Sequence, residues 1–117
     1  MMHIGELAEL TRLSLRTIRH YDETGLLHPS GRTEGGFRLY TVADHGRLLL
    51  IRQMRALSFT LDDIASFLRG LDSATCTPDT DDADRLLSFM NEAVSRRESL
   101  AEQLAMADEF INQLRTR

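Results

Sequence analysis

The sequence predicts a mainly α-helical protein in which a small head, made of four helices and a β-hairpin, precedes one long helix. Two patterns predict this fold class. Apolar residues recur every three or four positions in short segments of residues 4–71, and five of the chain's Gly and Pro residues fall between residues 25 and 36, where a hairpin is expected. Residues 81–117 contain neither Gly nor Pro and repeat apolar positions along one helix face.

The first two helices are expected to form a helix-turn-helix. Residues 4–10 place apolar side chains near one helix face, and residues 11–13 form a tight turn. Ser14 can cap a second helix that runs from Leu15 to about Glu23, and Gly25 stands where a left-handed residue would end it. Two short helices joined by so few residues are typical of a helix-turn-helix.

The second helix has a polar face rich in hydrogen-bond donors. Leu15, Ile18 and Tyr21 recur every three residues and are expected on the buried side. The opposite side then presents Arg16, Thr17, Arg19 and His20. Arg can bond guanine edges and phosphates, and Thr can bond a phosphate or touch a thymine methyl, so this face suits the major groove of DNA. A solvated polar face without a ligand is the plainer and commoner interpretation.

Residues 26–40 carry the signals of a β-hairpin, with a helix-breaking segment first and a Gly-Gly pair between two short strand-like segments. In the second segment Phe37 and Leu39 alternate with Arg38 and Tyr40, so the two pairs face opposite sides. Because each arm carries an Arg, the hairpin could lie over a sugar-phosphate backbone as a wing. An ordinary polar hairpin has the same pattern.

Two further helices begin at matching start signals. The segments TVAD at residues 41–44 and TLDD at residues 60–63 both resemble capping boxes with Asp in place of the usual Glu. Thr60 also stands at a helix N-terminus, where free amide groups can bind a phosphate. Both helices are expected to pack the core of the head through apolar stripes, which are Ala43, Leu50, Ile51, Met54 and Leu57 in the first and Ile64, Phe67, Leu68 and Leu71 in the second.

Residues 72–79 are expected to be a polar linker between two domains, the head at residues 1–71 and the long helix at residues 80–117. The acidic residues around the start of that helix complement the positive end of its dipole. A calcium loop is the alternative for this acidic cluster, but Ala83 occupies a ligand position and the required Gly is missing.

The long helix carries a heptad seam, in which core positions advance by four and then three residues with one polar interruption. Its members are Leu86, Met90, Ala93, Arg97, Leu100, Leu104, Ala107, Ile111 and Leu114. A helix of this length spans roughly 50 Å, so a small head cannot cover the seam and a second copy of the chain is expected to do so. In an antiparallel pair Arg97 could reach the partner's Glu98 or Glu102, or it could extend its charged end into water.

Charge is distributed unevenly along the chain, whose formal net charge is −4. Residues 1–60 carry a net +2 and residues 61–117 a net −6, and every cation other than His is Arg. The basic half therefore coincides with the predicted helix-turn-helix and hairpin, and Arg suits bidentate contacts to phosphate and guanine.

Composition argues against several classes of protein. We expect a cytoplasmic protein without a membrane association, because no apolar run approaches the ~20 residues needed to span a bilayer and no export signal is present. Cys76 is the only cysteine, so an intrachain disulfide is excluded and no metal site is expected. The four His residues are scattered and no phosphate-binding Gly loop precedes a helix, so we expect neither enzymatic activity nor a cofactor.

Three segments together resemble the MerR family of bacterial transcription regulators: IGELA at residues 4–8, SLRTIRHYDETGLL at residues 14–27 and RTEGGFRLY at residues 32–40. The likeness continues through LSFTLDDI at residues 57–64 and fits the long coiled-coil helix, so it covers essentially the whole chain.

The resemblance implies a winged helix-turn-helix with a second, small wing near Ser58 and Phe59, joined to an antiparallel coiled-coil dimer interface. It implies a homodimer that binds a palindromic operator in the spacer of a promoter, distorts that double-stranded DNA and so acts indirectly on RNA polymerase. The DNA contacts that it implies, together with His20 from the exposed helix face, are Arg16, Thr17, Arg19, Tyr21, Arg32, Phe37, Arg38 and Tyr40.

The effector is where this sequence departs from the family. Metal-sensing members carry one cysteine near the start of the dimer helix and further cysteines in a loop after it, and drug-sensing members append a large ligand-binding domain. Only Cys76 matches such a feature here, so a short form without an effector domain is expected. Cys76 could sense thiols or electrophiles or be an inert loop thiol, and the signal could also be a partner protein or absent. A coiled-coil protein-interaction module is the alternative to a DNA-binding regulator.

Overall fold

A computed structural model describes residues 1–76 and 80–117, and this part of the chain is mainly helical. Its elements in chain order are β1 (Met2–His3), α1 (Ile4–Thr11), α2 (Leu15–Glu23), β2 (Gly31–Arg32), β3 (Arg38–Tyr40), α3 (Val42–Ala56), α4 (Leu61–Cys76) and α5 (Thr80–Arg115). The chain divides into two compact units, Met1–Ala65 and Ser66–Arg117. The division between the two units therefore falls inside α4.

The helix-turn-helix forms as predicted, with α1 and α2 in contact. The hydroxyl of Ser14 accepts a hydrogen bond from the amide of Thr17 at 3.0 Å, so Ser14 is the N-cap of α2. Gly25 adopts a φ of +80°, a left-handed conformation that turns the chain away just beyond the helix. Residues that cap and end α2 thus fix its length and direction.

The core of the first unit contains side chains from every helix in it. Fully buried apolar residues include Leu7, Ile18, Tyr40, Leu48, Ile51 and Ile64. Leu15 was expected on the buried side of α2, but it is 39% exposed. A three-residue spacing drifts by about 60° per step around a helix, so Leu15 and Tyr21 lie about 120° apart and cannot both face the core squarely.

The predicted apolar stripe of α3 is only partly correct. Ile51 is buried, but Leu48 fills the other central position and Ala43 is exposed. Leu48 and Ile51 are three residues apart and share a face, whereas Ala43 lies about 140° around the helix from Leu48. The apolar stripe predicted for α4 is confirmed at two positions, because Ile64 and Leu68 are both buried.

Both predicted capping boxes are present. The Thr41 hydroxyl accepts from the amide of Asp44 at 3.1 Å while the Asp44 carboxylate accepts from the amide of Thr41 at 2.9 Å. Thr60 and Asp63 make the same reciprocal pair at the start of α4. Between the two helices, Ser58 has a φ of +66° and Phe59 is buried, which gives a tight connection at the position of the expected small wing.

The small sheet has three strands in the order β1-β3-β2. Both pairings are antiparallel, with Met2 opposite Tyr40 and Arg32 opposite Arg38. The predicted hairpin corresponds to β2 and β3, and β1 was not predicted. A two-residue strand is too short to show alternation, so only its pairing with β3 reveals it.

The second unit combines the end of α4 with α5. Residues 72–76 of the predicted linker are helical, because the next residue that cannot continue a helix is Pro78. Residues 77–79 and the side chain of Cys76, on which the thiol-sensor hypothesis depends, lie outside the described residues. The rings of Phe67 and Phe89 meet edge to face at 5.4 Å and join the two helices of this unit.

The helix α5 runs for 36 residues, close to the predicted extent. All of residues 101–117 are exposed, including the seam residues Leu104, Ile111 and Leu114. Of the helices in the described residues, none combines enough length with enough hydropathy to cross a membrane.

Candidate nucleic-acid interface

The polar face of α2 borders an open cleft of about 670 Å³. The cleft is lined by Arg16, Thr17, Arg19, His20, Tyr21, Glu23, Arg55 and Leu61. Three guanidinium groups therefore stand against one carboxylate, so the lining has a net positive charge. The structure thus brings together all five α2 residues that were singled out from the sequence.

Three residues of the cleft, Glu23, Arg55 and Leu61, were not among the predicted site residues. Arg55 lies in the last turn of α3, and its Nη1 donates to the carbonyl oxygen of Phe59 at 3.0 Å, which fixes the side chain near the start of α4. Leu61 is the first residue of α4, whose first amides have no partner within the helix. A cation and a helix N-terminus on the same cleft favour an anion such as phosphate.

No local pattern marks Arg55, because it is one of several Arg residues on α3 and only tertiary packing brings it to α2. The start of α4 did have a signal, since the capping box at residues 60–63 predicted a helix N-terminus and its amides were noted as an anion site.

Within α2, Thr17 has a structural task in addition to the predicted one. Its hydroxyl lies 2.8 Å from the hydroxyl of Ser14, and its amide donates to the same oxygen. Arg16, Arg19 and His20 are exposed and lie on the side of the helix that borders the cleft. These three side chains are therefore free to reach a ligand while the helix start stays fixed.

The two tyrosines predicted as DNA contacts are buried. Tyr21 is 6% exposed, although it is one of the residues that line the cleft. Tyr40 is fully buried, and its hydroxyl has no hydrogen-bond partner among the described residues. Burial raises the pKa of Tyr40. Tyr40 was predicted as a DNA contact, but its side chain lies in the core and is not exposed in this conformation.

The wing is a tight hairpin. The amide of Gly36 donates to the carbonyl oxygen of Thr33 at 2.9 Å, and Gly36 has a φ of +82°, which a side chain would strain. Phe37 follows the turn and is 69% exposed. Arg32 and Arg38 lie directly opposite each other on β2 and β3. The wing thus presents two cations and one apolar ring.

A carboxylate on α2 binds the base of the wing. Asp22 Oδ2 accepts from Nε of Arg38 at 2.8 Å and lies 3.7 Å from Nη2 of Arg32, while Oδ1 lies 2.9 Å from Nδ1 of His28. The hydrogen bonds from His28 and Arg38 lower the pKa of Asp22, and the bond to Asp22 raises the pKa of Arg38. Sequence reasoning missed this cluster, because its hydrogen-bonded partners are 6 and 16 residues from Asp22 and no helical or strand spacing links them.

The helix-turn-helix, the β-hairpin wing in a three-stranded sheet and the basic cleft along α2 define a winged helix-turn-helix protein. The chain belongs to the MerR HTH family of regulatory proteins, whose profile matches residues 2–71. The resemblance seen in the sequence is thereby confirmed.

Among curated relatives, the nodulation protein NolA of Bradyrhizobium diazoefficiens is 46% identical over 72 residues, which are 62% of this chain and 30% of the relative. The HTH-type transcriptional regulator ZntR of Escherichia coli is 46% identical over 68 residues, 58% of this chain and 48% of the relative. The similarity to these relatives thus spans less than half of their length.

Solved structures match over a larger share. The N-terminal part of the multidrug transporter activator of Bacillus subtilis, MtaN, is 32% identical with a TM-score of 0.61, covering 97% of this chain and 94% of that one. HiNmlR, a MerR family regulator lacking the sensor domain, is 27% identical with a TM-score of 0.76, covering 95% and 78%. That protein was crystallised bound to promoter DNA.

Proposed function

We propose that the protein is a sequence-specific DNA-binding transcriptional regulator that acts as a homodimer. The observation that carries the proposal is the basic cleft on the exposed face of α2, in a chain that is acidic as a whole. Phosphate contacts supply much of the affinity of such proteins, so the local charge matters more than the net charge. The likeness to HiNmlR, solved on promoter DNA, supports the same conclusion.

In this proposal α2 enters the major groove. Arg16 and Arg19 are exposed and long enough to reach base edges, and His20 lies beside them on the cleft. Arg55 and the first amides of α4 bind a phosphate at the side of the groove, and the wing binds the sugar-phosphate backbone through Arg32, Arg38 and Phe37.

The seam on α5 provides the dimer interface. The exposed fractions of Leu100, Leu104 and Leu114 are 45%, 65% and 56%, so the seam is uncovered in a single chain. At about 1.5 Å per residue, α5 is roughly 54 Å long. A second α5 in antiparallel orientation covers this seam, and two heads related by two-fold symmetry match a palindromic operator.

We further propose that the dimer distorts the spacer between the two promoter elements and thereby controls RNA polymerase indirectly. Holding two heads at a fixed separation makes the shape and deformability of the DNA part of recognition. A thiol-dependent signal at Cys76 remains a hypothesis for this regulator.

Binding to DNA fragments from upstream of the protein's own coding sequence tests the proposal, with fluorescence anisotropy as the readout at several salt concentrations. We expect Arg16→Ala and Arg19→Ala each to weaken binding by about 1 to 3 kcal/mol for each lost base contact. Arg117→Ala is the matched control, because it removes the same charge from an exposed position on the last residue. If the parent chain forms dimers but binds no such fragment, a coiled-coil interaction module becomes the better assignment.

A further inference from the structure

The contact between the wing and α2 depends on one carboxylate. Arg32 and Arg38 are direct cross-strand neighbours, and like charges in such positions repel each other. Oδ2 of Asp22 lies 2.8 Å from Nε of Arg38 and 3.7 Å from Nη2 of Arg32. A single anion on α2 thus lies close to both cations and reduces the repulsion between them.

This cluster is more than a surface ion pair. The side chain of Asp22 is 12% exposed and both of its oxygens are engaged, one by Arg38 and one by Nδ1 of His28. Truncating a nearly buried carboxylate whose oxygens accept directional hydrogen bonds lowers stability far more than truncating an exposed one. The position of Arg38 relative to α2 is therefore fixed through Asp22.

Arg38 and Arg32 keep hydrogen-bond donors available for a ligand while Asp22 holds their side chains in place. Arg38 bonds Asp22 through Nε, and its two terminal nitrogens make no hydrogen bond within the described part of the chain. Arg32 is tied to the wing turn, because its Nη1 donates to the carbonyl oxygen of Gly36 at 3.1 Å, and half of its side chain is exposed. A planar guanidinium fixed at one edge can present its other edge to a phosphate with little loss of conformational freedom.

We propose that Asp22 is a positioning residue for DNA binding, which holds Arg38 and Arg32 at the end of α2 so that wing and helix engage the same duplex. This inference rests on the proposed function. Asp22 does not touch DNA in this arrangement. It acts through the two arginines, as an anion bound behind the donors that face the phosphates.

A positioning role and a merely neutralising role predict opposite changes in DNA affinity when Asp22 is removed. If Asp22 merely neutralised the arginines, its removal would add net positive charge and strengthen binding. Glu34→Ala is the matched control, because it removes the same charge from an exposed position on the wing turn. We expect Glu34→Ala to bind DNA slightly more tightly than the parent and Asp22→Ala to bind roughly 10-fold more weakly for each head.

The test measures affinity against salt concentration for the full-length parent, Asp22→Ala, Arg38→Ala and the double variant. Loss of a positioned phosphate contact should reduce the slope of log affinity against log salt by about 0.9 per phosphate. Because Asp22 acts through Arg38 as well as Arg32, the loss of affinity in the double variant should be smaller than the sum of the two single losses. If Asp22→Ala does not fold, Asp22→Asn keeps the volume and an acceptor for Nε while removing the charge, and it should show a smaller loss in the same direction.

The outcomes separate the two proposals. A parent chain that binds no promoter fragment contradicts the proposed function itself. A parent that binds, together with an Asp22→Ala variant of equal or higher affinity and unchanged salt slope, overturns the positioning role. Full additivity of the Asp22→Ala and Arg38→Ala losses overturns it as well.

Discussion

The hydroxyl of Ser30 donates a hydrogen bond of 2.6 Å to Oδ2 of Asp44, although 14 positions separate the two residues. The same oxygen accepts from the amide of Thr41 in the capping box of α3. One carboxylate therefore caps a helix and also fixes the segment that leads into β2. The start of the wing and the start of α3 are held at one point.

Because Asp44 makes both contacts, Asp44→Ala should lower the free energy of unfolding by more than the loss of a helix cap alone. Asp63→Ala removes the equivalent Asp from the capping box of α4 and should lower the free energy of unfolding by about 1 kcal/mol. Asp44→Ala should lower it by roughly 0.5 to 1.5 kcal/mol more, because the Ser30 hydrogen bond is lost too. Urea unfolding followed by circular dichroism measures both. Equal losses would show that the Ser30 contact contributes nothing to stability.

The Asp22 cluster predicts a pH-dependent contribution to stability. Hydrogen bonds from His28 and Arg38 place the folded-state pKa of Asp22 below its ordinary value of 3.8. A lowered pKa means that the stabilisation is complete above the ordinary value and is lost as the pH falls through the folded-state pKa. The difference in free energy of unfolding between the parent and Asp22→Asn should thus be constant near neutral pH and shrink in acid. If this difference in free energy of unfolding grew as the pH fell below 3.8, the lowered pKa of Asp22 would be contradicted.

The buried hydroxyl of Tyr40 predicts that Tyr40→Phe is neutral or stabilising. An unpaired polar atom in the core costs roughly 1 to 3 kcal/mol, and the variant removes it while keeping the ring. Thermal unfolding should show an equal or higher midpoint, whereas Tyr40→Ala should lose about 3 kcal/mol or more through the cavity. DNA binding of Tyr40→Phe should equal that of the parent, because the hydroxyl does not reach the surface. A weakened affinity at unchanged stability would restore Tyr40 as a DNA contact.

The uncovered seam predicts that Leu104→Asp yields monomers. A carboxylate placed in an apolar coiled-coil interface must be desolvated without a partner, which costs several kcal/mol. Sedimentation velocity at matched concentrations should show the parent as a dimer and the variant as a monomer. Glu109→Asp, outside the seam on the same helix, serves as the control and should remain dimeric. A dimeric Leu104→Asp would place the interface elsewhere.

The parts of the fold that sequence could predict are those in which neighbouring residues determine the structure. Ser14, Thr41 and Thr60 each bond an amide three residues ahead, so their helices begin where the local pattern requires. Heptad spacing likewise predicted the length of α5, because no helix-breaking residue interrupts it. The exposed cations of α2 follow from helical periodicity alone.

The parts that were missed depend on distant partners. Arg55 reaches the cleft and Asp22 reaches the wing only after tertiary packing, and β1 exists only because β3 lies beside it. The burial of Tyr40 also depends on tertiary packing and could not be predicted from local sequence. Alternation along β3 predicted Tyr40 and Arg38 on the same face, but it could not predict that Tyr40 is buried.

The exposed ring of Phe37 at the end of the wing turn also bears on how temperature affects binding. In the proposed complex, counterion release would make the arginine contacts sensitive to salt, whereas burial of the Phe37 ring against deoxyribose would be insensitive to salt and would lower the heat capacity of the complex. The enthalpy of association should therefore become more negative on warming, and a fraction of the affinity should persist in concentrated salt.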